Sequence, residues 1–373
     1  MKAATTLLVF CVGALLSLGF VMLYSAGMAK WGAHYLLMQL TWAGAGLVIA
    51  SVAATLDYRW LKKVSWALLI ISIALLALVL IFGSKTNGAR RWFKLGLLNF
   101  QPSELARLAL IIALAHYGER YQRFMTSLVW GLALPGLMMS AVLAPVFFEP
   151  DRGATVLLAA VGGMMLVLAG IRLWFLFPPI AVGAVGLGYC IWKDPVRWGR
   201  ILSWLHPEEH KDDTGYQVWH SILGIGSGGP SGVGLGNGRQ KALVPEHHTD
   251  FIFSVVGEEL GLIATIATIV AFVVLVICGL YIAKRARDVF GFLLASGITF
   301  LIGLQAAINI GVVTGALPNK GLPLPFVSYG GSNLLLMLTC AGILLSVARQ
   351  AREVPDNTQD NPFPDIAAQQ LSS

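Results

Sequence analysis

The chain has 373 residues, of which 57% are apolar and only 12% charged, and its mean hydropathy is +0.74. A soluble domain carries about 25% charged residues, so the composition excludes a soluble globular protein and predicts an integral membrane protein. The net charge of +7 does not indicate nucleic-acid binding, because Lys and Arg in a membrane protein first report which loops face the cytoplasm.

Ten apolar segments predict membrane-spanning helices, since roughly 20 helical residues cross about 30 Å of hydrocarbon. The predicted fold is therefore an all-α integral membrane protein with ten transmembrane helices. A large extracytoplasmic loop at about 193–258 separates helices 7 and 8. The membrane domain covers 1–350, and the polar segment 351–373 reads as a disordered cytoplasmic tail. The predicted spans are 6–25, 35–55, 65–83, 103–117, 127–147, 154–170, 173–192, 259–282, 291–314 and 328–348.

The charges of the short connections predict the orientation. The short connections on one side carry nine Lys and Arg residues, and those on the other side carry three. The side with more cations is therefore predicted to be cytoplasmic, together with both termini. The first span is longer than the apolar core of a signal peptide and is expected to stay uncleaved. Segments 84–102 and 193–258 then lie outside, although both carry cations. The richer set is Arg59, Lys62, Lys63, Arg120, Arg123, Arg172, Lys284, Arg285 and Arg287; the other is Lys30, Arg152 and Lys320.

Several patterns carry little functional signal. The four cysteines lie in or beside apolar runs without metal-binding spacing, so they are expected to be small core residues. GIGSGG at 224–229 matches a dinucleotide-site pattern but lacks a preceding strand, and a flexible turn or close-packed loop is the better interpretation. His247 and His248 have no third spaced ligand, so no metal site is predicted.

Polar residues inside the spans need partners. Glu104 and Arg107, three residues apart, can pair on one helix face, and the sequence leaves open whether they are functional or structural. Gln305 and Asn309 predict hydrogen bonds between helices. Segment 316–333 is rich in Pro and Gly, and irregular backbone at membrane depth must be covered by protein or line a cavity. This segment is expected to form a wall of a site, with Lys320 and Ser328 as candidate substrate-binding residues.

Residues 244–261, VPEHHTDFIFSVVGEELG, gather acids where a helix should begin. Asp250 would cap that helix, accepting hydrogen bonds from its free amides. Alternatively, if the helix starts at Asp250, then Asp250, Ser254 and Glu258 share one face. An acidic face beside a basic loop suits an anionic substrate that carries hydroxyl groups, held at a membrane surface.

Four sequence blocks resemble one protein family over about residues 8–350. They are NGARRWFKLGLLNFQPSELARLALIIALA (87–115), PDRGA (150–154), GYQVWHSILGIGSGGPSGVGLGNGRQKALVPEHHTDFIFSVVGEELG (215–261) and NIGVVTGALPNKGLPLPFVSYGGSN (309–333). This is the SEDS family of RodA and FtsW proteins. PNKG at 318–321 and VGEELG at 256–261 resemble the FtsW division branch more than the RodA elongation branch.

The resemblance implies a peptidoglycan glycosyltransferase that polymerises lipid II on the outer face of the bacterial cytoplasmic membrane. It also implies a class B penicillin-binding protein as partner, with other divisome or elongasome proteins. The alternatives are a lipid II flippase or a non-catalytic scaffold for the penicillin-binding protein. The family's essential aspartate falls on Asp250, its QPSE glutamate on Glu104 and its PD aspartate on Asp151. The family's lysine after QPSE is Arg107 here, and PDRGA replaces a threonine and adds Arg152.

The expected chemistry follows from these residues. Asp250 would be the general base, with Glu258 as the next candidate, and cations on the outer side would bind the diphosphate. No cofactor is certain; a divalent cation could share this work, but the sequence shows no cage for one. The candidate anion-binding residues are Arg90, Arg91, Lys94, Arg152, Arg239 and Lys241.

Overall fold

A computed structural model describes residues 1–27, 32, 34–86, 89–95, 98–245 and 247–351. The expectations for Lys30 and for the tail beyond residue 351 lie outside these residues. The helices of the described part are α1 (Lys2–Gly27), α2 (His34–Thr55), α3 (Trp60–Phe82), α4 (Pro102–Arg120), α5 (Leu134–Phe148), α6 (Arg152–Leu168), α7 (Leu173–Trp192), α8 (Pro195–Leu205), α9 (Tyr216–Gly228), α10 (Ile252–Lys284), α11 (Val289–Val313) and α12 (Gly331–Ala351).

The chain is a helical integral membrane protein. Within the described residues, 8 helices are long and apolar enough to cross a membrane when α5 is counted with the π-helical turn Val129–Ala133 before it, and α6 is a shorter apolar helix. Helix α4 carries Glu104 and Arg107 in its first two turns. Each of the ten predicted spans overlaps a helix, while α8 and α9 are additional helices in the long loop between α7 and α10.

The connections of the bundle gather at two ends. At one end, called the basic end, ion pairs and hydrogen bonds join the α2–α3 connection and the first turn of α3 to α4, α11 and α12. The cations predicted to be cytoplasmic lie in the connections of this end or in the helix turns next to them. The opposite end, called the site end, is built from 84–86, 89–95, 98–100, 149–151, 193–245, 247–251 and 314–330. The contacts at the basic end include Arg59–Asp288 at 3.0 Å, Lys62–Glu119 at 2.7 Å and Gln350–Asp57 at 2.8 Å.

A small antiparallel sheet at the site end departs from a purely helical fold. Its strands are β1 (Ser84–Thr86), β2 (Ala89–Leu95) and β3 (Leu98–Phe100), in the order β1-β2-β3. The sequence between β1 and β2 is Asn87-Gly88, a strong short-range hairpin signal. The Arg91 Nε donates to the Glu149 carbonyl oxygen at 2.7 Å and so ties the sheet to the α5–α6 turn.

Small residues allow close helix packing in the bundle. A Cβ at Gly342 of α12 would clash with the backbone carbonyl of Ala50 on α2, so these helices touch through their backbones. Cys11, Cys278 and Cys340 are buried, as expected for small core residues, whereas Cys190 on α7 is half-buried. No residue of α7 is buried, and most of its large apolar side chains are exposed.

Candidate active site

The irregular segment between α11 and α12 is held in place by two amide side chains of α11. The Gln305 Nε2 donates to the Pro323 carbonyl at 2.9 Å, and the Asn309 Nδ2 donates to the Leu322 carbonyl at 2.7 Å. Ser328 closes the next turn, because its hydroxyl accepts the Leu324 amide at 2.8 Å. Ser328 is buried, so its place in the structure is within the wall of the site end.

Asp250 lies before helix α10 rather than within it. The helix begins at Ile252 with Phe251 as its N-cap residue, so Asp250 lies outside the helix and does not share a helical face with Ser254. The Asn309 Nδ2 also donates to the Asp250 backbone carbonyl at 2.7 Å. A Cβ built on Gly321 would lie 2.5 Å from the Asp250 Oδ2. The carboxylate therefore lies against the bare backbone of Gly321.

The neighbouring residue, Lys320, belongs to a cluster of cations. Its pKa is lowered, first by burial and then by the positive charges of Arg197, Arg200 and Arg152, while Asp151 acts in the opposite direction. Burial, followed by Arg152, also lowers the pKa of Arg197, which pairs with Asp194 at 3.0 Å. Each cation raises the free energy of the others, so a bound anion would stabilise this cluster.

The sequence analysis identified two members of this cation cluster and missed two. Arg152 and Lys320 were candidates, and the structure brings them together. Arg197 and Arg200 were missed because α8 had been assigned to an undivided loop. The available signal was the segment PVRWGRILSWL at 195–205, in which apolar and basic residues recur at helical spacing.

The α5–α6 turn carries two further carboxyl groups beside the cation cluster. The Asp151 Oδ1 caps α6 by accepting the Ala154 amide at 3.0 Å. Arg152 follows it and donates to the Cys190 carbonyl at 3.2 Å. Asp151 therefore has a helix-capping role in addition to its electrostatic interaction with Lys320.

Glu149 is a buried carboxyl group that the sequence analysis did not select. Within the described residues, neither of its carboxyl oxygens has a hydrogen-bond partner. Burial, followed by the charge of Asp151, raises the pKa of Glu149 to about 8, against the opposing effect of Arg91 and Arg107. The signal in the sequence was its position directly before the PD motif.

Glu104 and Arg107 form a buried ion pair at 3.0 Å between the Arg107 Nη1 and the Glu104 Oε2. Arg107 also donates to the Gln305 Oε1 at 3.3 Å, and the Asn333 Nδ2 donates to Glu104 at 3.3 Å. The pair thus links α4 to α11 and α12. These contacts support the structural interpretation of the pair, which also anchors Gln305 and, through it, the wall of the site end.

Lys241 and Glu258 were expected at the substrate, but the structure gives both a different environment. The Lys241 ammonium lies 2.6 Å from the Glu259 Oε1 and donates to the Gly236 carbonyl at 2.9 Å. The Glu258 Oε1 accepts the backbone amides of Arg239 at 2.6 Å and of Gln240 at 3.0 Å. Both charged groups are buried and hold the loop against α10.

The glycine-rich loop 228–238 completes a break in α10, as the close-packed interpretation expects. Gly261 has φ +78°, a conformation that favours glycine and interrupts the helix. Loop amides take up the last carbonyls before the break, and loop carbonyls accept the first amides after it. These bonds are Val233 N to Glu258 O (3.0 Å), Gly234 N to Glu259 O (3.1 Å), Leu262 N to Gly229 O (2.9 Å) and Ile263 N to Pro230 O (3.2 Å).

Three further candidate cations remain, namely Arg90, Lys94 and Arg239. The Arg90 guanidinium donates to the Ile81 carbonyl at the end of α3, and the Arg239 side chain is exposed. The Lys94 side chain is outside the described part of the structure. Among the described residues, His, Cys, Asp and Glu form no group of three that could hold a metal ion.

Comparisons with known proteins assign the family. Residues 5–353 match the model of the FtsW, RodA and SpoVE family, described as a cell cycle protein. A protein of Trichlorobacter lovleyi named "Probable peptidoglycan glycosyltransferase FtsW" is 40% identical over 362 residues, covering 95% of each chain. A Marinobacter nauticus protein of the same name is 41% identical over 357 residues, covering 93% of this chain and 89% of the relative.

Two solved structures share the fold. One, reported as "Structural coordination of polymerization and crosslinking by a peptidoglycan synthase complex", has a TM-score of 0.79 and 32% identity, covering 93% of this chain and 98% of the other. The rod shape determining protein RodA of Thermus thermophilus has a TM-score of 0.71 and 31% identity, covering 93% and 97%. This chain therefore belongs to the FtsW, RodA and SpoVE family of membrane proteins.

Proposed function

We propose that this chain is a peptidoglycan glycosyltransferase of the FtsW division branch, which polymerises lipid II into glycan strands. The activity named for its relatives in Trichlorobacter lovleyi and Marinobacter nauticus supports this function. So does the likeness to a chain of a peptidoglycan synthase complex.

One observation carries the proposal. Lys320 and Gly321 are consecutive, yet Lys320 belongs to the cation cluster with Arg152 and Arg197, while Gly321 lies against the Asp250 carboxylate. A carboxylate and a diphosphate-binding cluster therefore meet along one short stretch of backbone. Polymerisation of a diphosphate-linked sugar needs both groups within one substrate length.

The proposed reaction uses each group once. Asp250 accepts the proton of the acceptor 4-hydroxyl as that oxygen bonds to the anomeric carbon of the donor sugar. The bond between the anomeric carbon and the phosphate oxygen breaks, and the undecaprenyl diphosphate leaves with the electron pair. The cluster of Lys320, Arg152, Arg197 and Arg200 stabilises the negative charge on the leaving group.

We assign stabilisation of the charge on the leaving diphosphate to the Lys320 cluster.

We place the site end on the outer face of the bacterial cytoplasmic membrane and the basic end in the cytoplasm. The excess of Lys and Arg in the short connections of the basic end supports this orientation. Both termini and the tail 351–373 are then cytoplasmic, and residues 1–350 act as one membrane domain. A class B penicillin-binding protein is the proposed partner, since the chain resembles a member of a synthase complex.

The purified chain, incubated with labelled lipid II, tests this function. We expect glycan strands from the chain with its partner, fewer strands from the chain alone, and none from the partner alone. Strands made by the partner alone would instead favour a scaffold. Movement of lipid II across vesicle membranes without any strand formation would favour a flippase.

A further inference from the structure

We propose that Asn309 is a positioning residue that sets where the Asp250 carboxylate lies relative to Lys320. This inference rests on the proposed function, in which Asp250 takes a proton and Lys320 faces the leaving diphosphate. Asn309 lies on α11, and its sequence position indicated only a hydrogen bond between helices.

A single amide group bridges the two halves of the site. The Asn309 Nδ2 donates one hydrogen to the Asp250 carbonyl and the other to the Leu322 carbonyl, each at 2.7 Å. Leu322 directly follows Gly321, which faces the Asp250 carboxylate. Both hydrogens of the amide are thereby used, and they hold the backbone of the base to the backbone that carries Lys320.

The orientation of this amide is determined by its two acceptors. A side-chain amide has two hydrogens on nitrogen and none on oxygen, so only its NH₂ group can serve two carbonyls. The Asn309 Oδ1 is buried and has no hydrogen-bond partner within the described residues. A buried acceptor without a partner lowers stability. We therefore infer that Asn309 occupies this position because of the two hydrogen bonds that its nitrogen donates.

A second bond holds the chain two residues before Asp250. The Tyr329 amide donates to the His248 carbonyl at 2.9 Å. Segment 248–250 is thus bonded to the α11–α12 connection at His248 and to α11 at Asp250. Loss of the Asn309 side chain removes the bond at Asp250 and leaves the bond at His248 in place.

Gln305 provides a matched control on the same helix. One turn before Asn309, it donates to the Pro323 carbonyl at 2.9 Å, and so it holds the same wall without a bond to Asp250. Loss of either side chain removes a buried hydrogen bond to segment 322–323. Only loss of Asn309 also removes a hydrogen bond to the backbone of the proposed base.

The size of the expected effect follows from the reach of a general base. A base must come within about 2.6–3.2 Å of the hydroxyl that it deprotonates, and a misplacement of about 1 Å can cost roughly 10²-fold in rate. We therefore expect Asn309→Ala to lower kcat by about 10- to 100-fold. The KM for lipid II should change little, because the diphosphate contacts come from the Lys320 cluster.

The experiment measures strand formation by the full chain with its partner, as a function of lipid II concentration and pH, for wild type, Asn309→Ala, Asn309→Ser and Gln305→Ala. Asn309→Ala should lower kcat. It should also shift the limb of the pH–rate profile that reflects ionisation of the general base. Asn309→Ser keeps one donor and should lie between Asn309→Ala and wild type. Gln305→Ala should lose less activity and keep the limb in place.

Three results would overturn the inference. The first is an Asn309→Ala variant with the wild-type kcat and pH profile. The second is a loss of activity in Asn309→Ala that is fully explained by a smaller amount of folded protein, with an unchanged pH–rate profile. The third applies if Asn309→Ala does not fold, and it is an Asn309→Ser variant with the wild-type kcat and pH–rate profile. Wild-type protein that makes no strands would instead refute the proposed function.

Discussion

Lys241→Met removes a buried cation that pairs with Glu259, and we expect its main effect to be on stability. Lys241 is 6% exposed and Glu259 is 0% exposed, and their charged atoms lie 2.6 Å apart. The Glu259 Oε2 also accepts the hydroxyl of Ser25 and the amide of Gly236. Removing one partner of a buried ion pair leaves the other charge uncompensated, which costs about 3–5 kcal/mol. We therefore expect Lys241→Met to lower the thermal stability of the detergent-solubilised protein markedly.

The double variant Lys241→Met/Glu259→Gln provides the test of this reasoning. It removes both charges and keeps an acceptor for Ser25 and Gly236, so it should recover most of the lost stability. Arg239→Ala, at an exposed side chain of the same loop, should melt as wild type. The reasoning is refuted if Lys241→Met keeps the wild-type melting temperature and binds lipid II more weakly, because that result would place the ammonium at the diphosphate.

Three further outcomes are expected. Lys320→Ala should weaken lipid II binding by roughly 10- to 100-fold, which corresponds to about 1.5–3 kcal/mol for a hydrogen bond to a charged group. Lys63→Ala, at the basic end, should leave lipid II binding unchanged. Equal effects of the two substitutions would contradict the assignment of Lys320 to the diphosphate. The pKa of Glu149 is raised to about 8 from its ordinary value of 4.5, so the folded chain loses stability as the pH rises from about 4.5 to about 8. Glu149→Gln should consequently raise the melting temperature more at pH 8 than at pH 5, and an equal change at both pH values would contradict this. In a background without native cysteines, an impermeant thiol reagent should label Glu209→Cys from outside the cell but not Arg287→Cys, and the opposite labelling would invert the proposed orientation.

The membrane helices could be predicted from the sequence because their signal is local. Apolar runs of spanning length gave ten segments, and each overlaps a helix of the structure. The start of α10 was harder to predict, since its apolar pattern begins only after an acidic turn. As a result Asp250 was assigned either to the N-cap or to a helix face, whereas the helix begins at Ile252.

The partners of charged residues could not be predicted from the sequence because they come from distant segments. Lys241 was a candidate anion-binding residue of the long loop, and its contacts with Glu259 and Ser25 became visible only in the structure. Glu149 was passed over because its burial and its lack of a hydrogen-bond partner are consequences of packing. The role of Asp250 as an essential residue came from the resemblance to a family, since spacing alone left a helix cap equally open.

The polymerisation rate of Asp250→Asn, measured with labelled lipid II and the partner present, tests the central claim most directly. Asparagine keeps the shape of the side chain but cannot take a proton, and a general base contributes about 10²–10⁴-fold. We expect Asp250→Asn to have the wild-type melting temperature and to bind lipid II, while its polymerisation rate falls by about 10²–10⁴-fold. Polymerisation close to the wild-type rate would show that Asp250 is not the base.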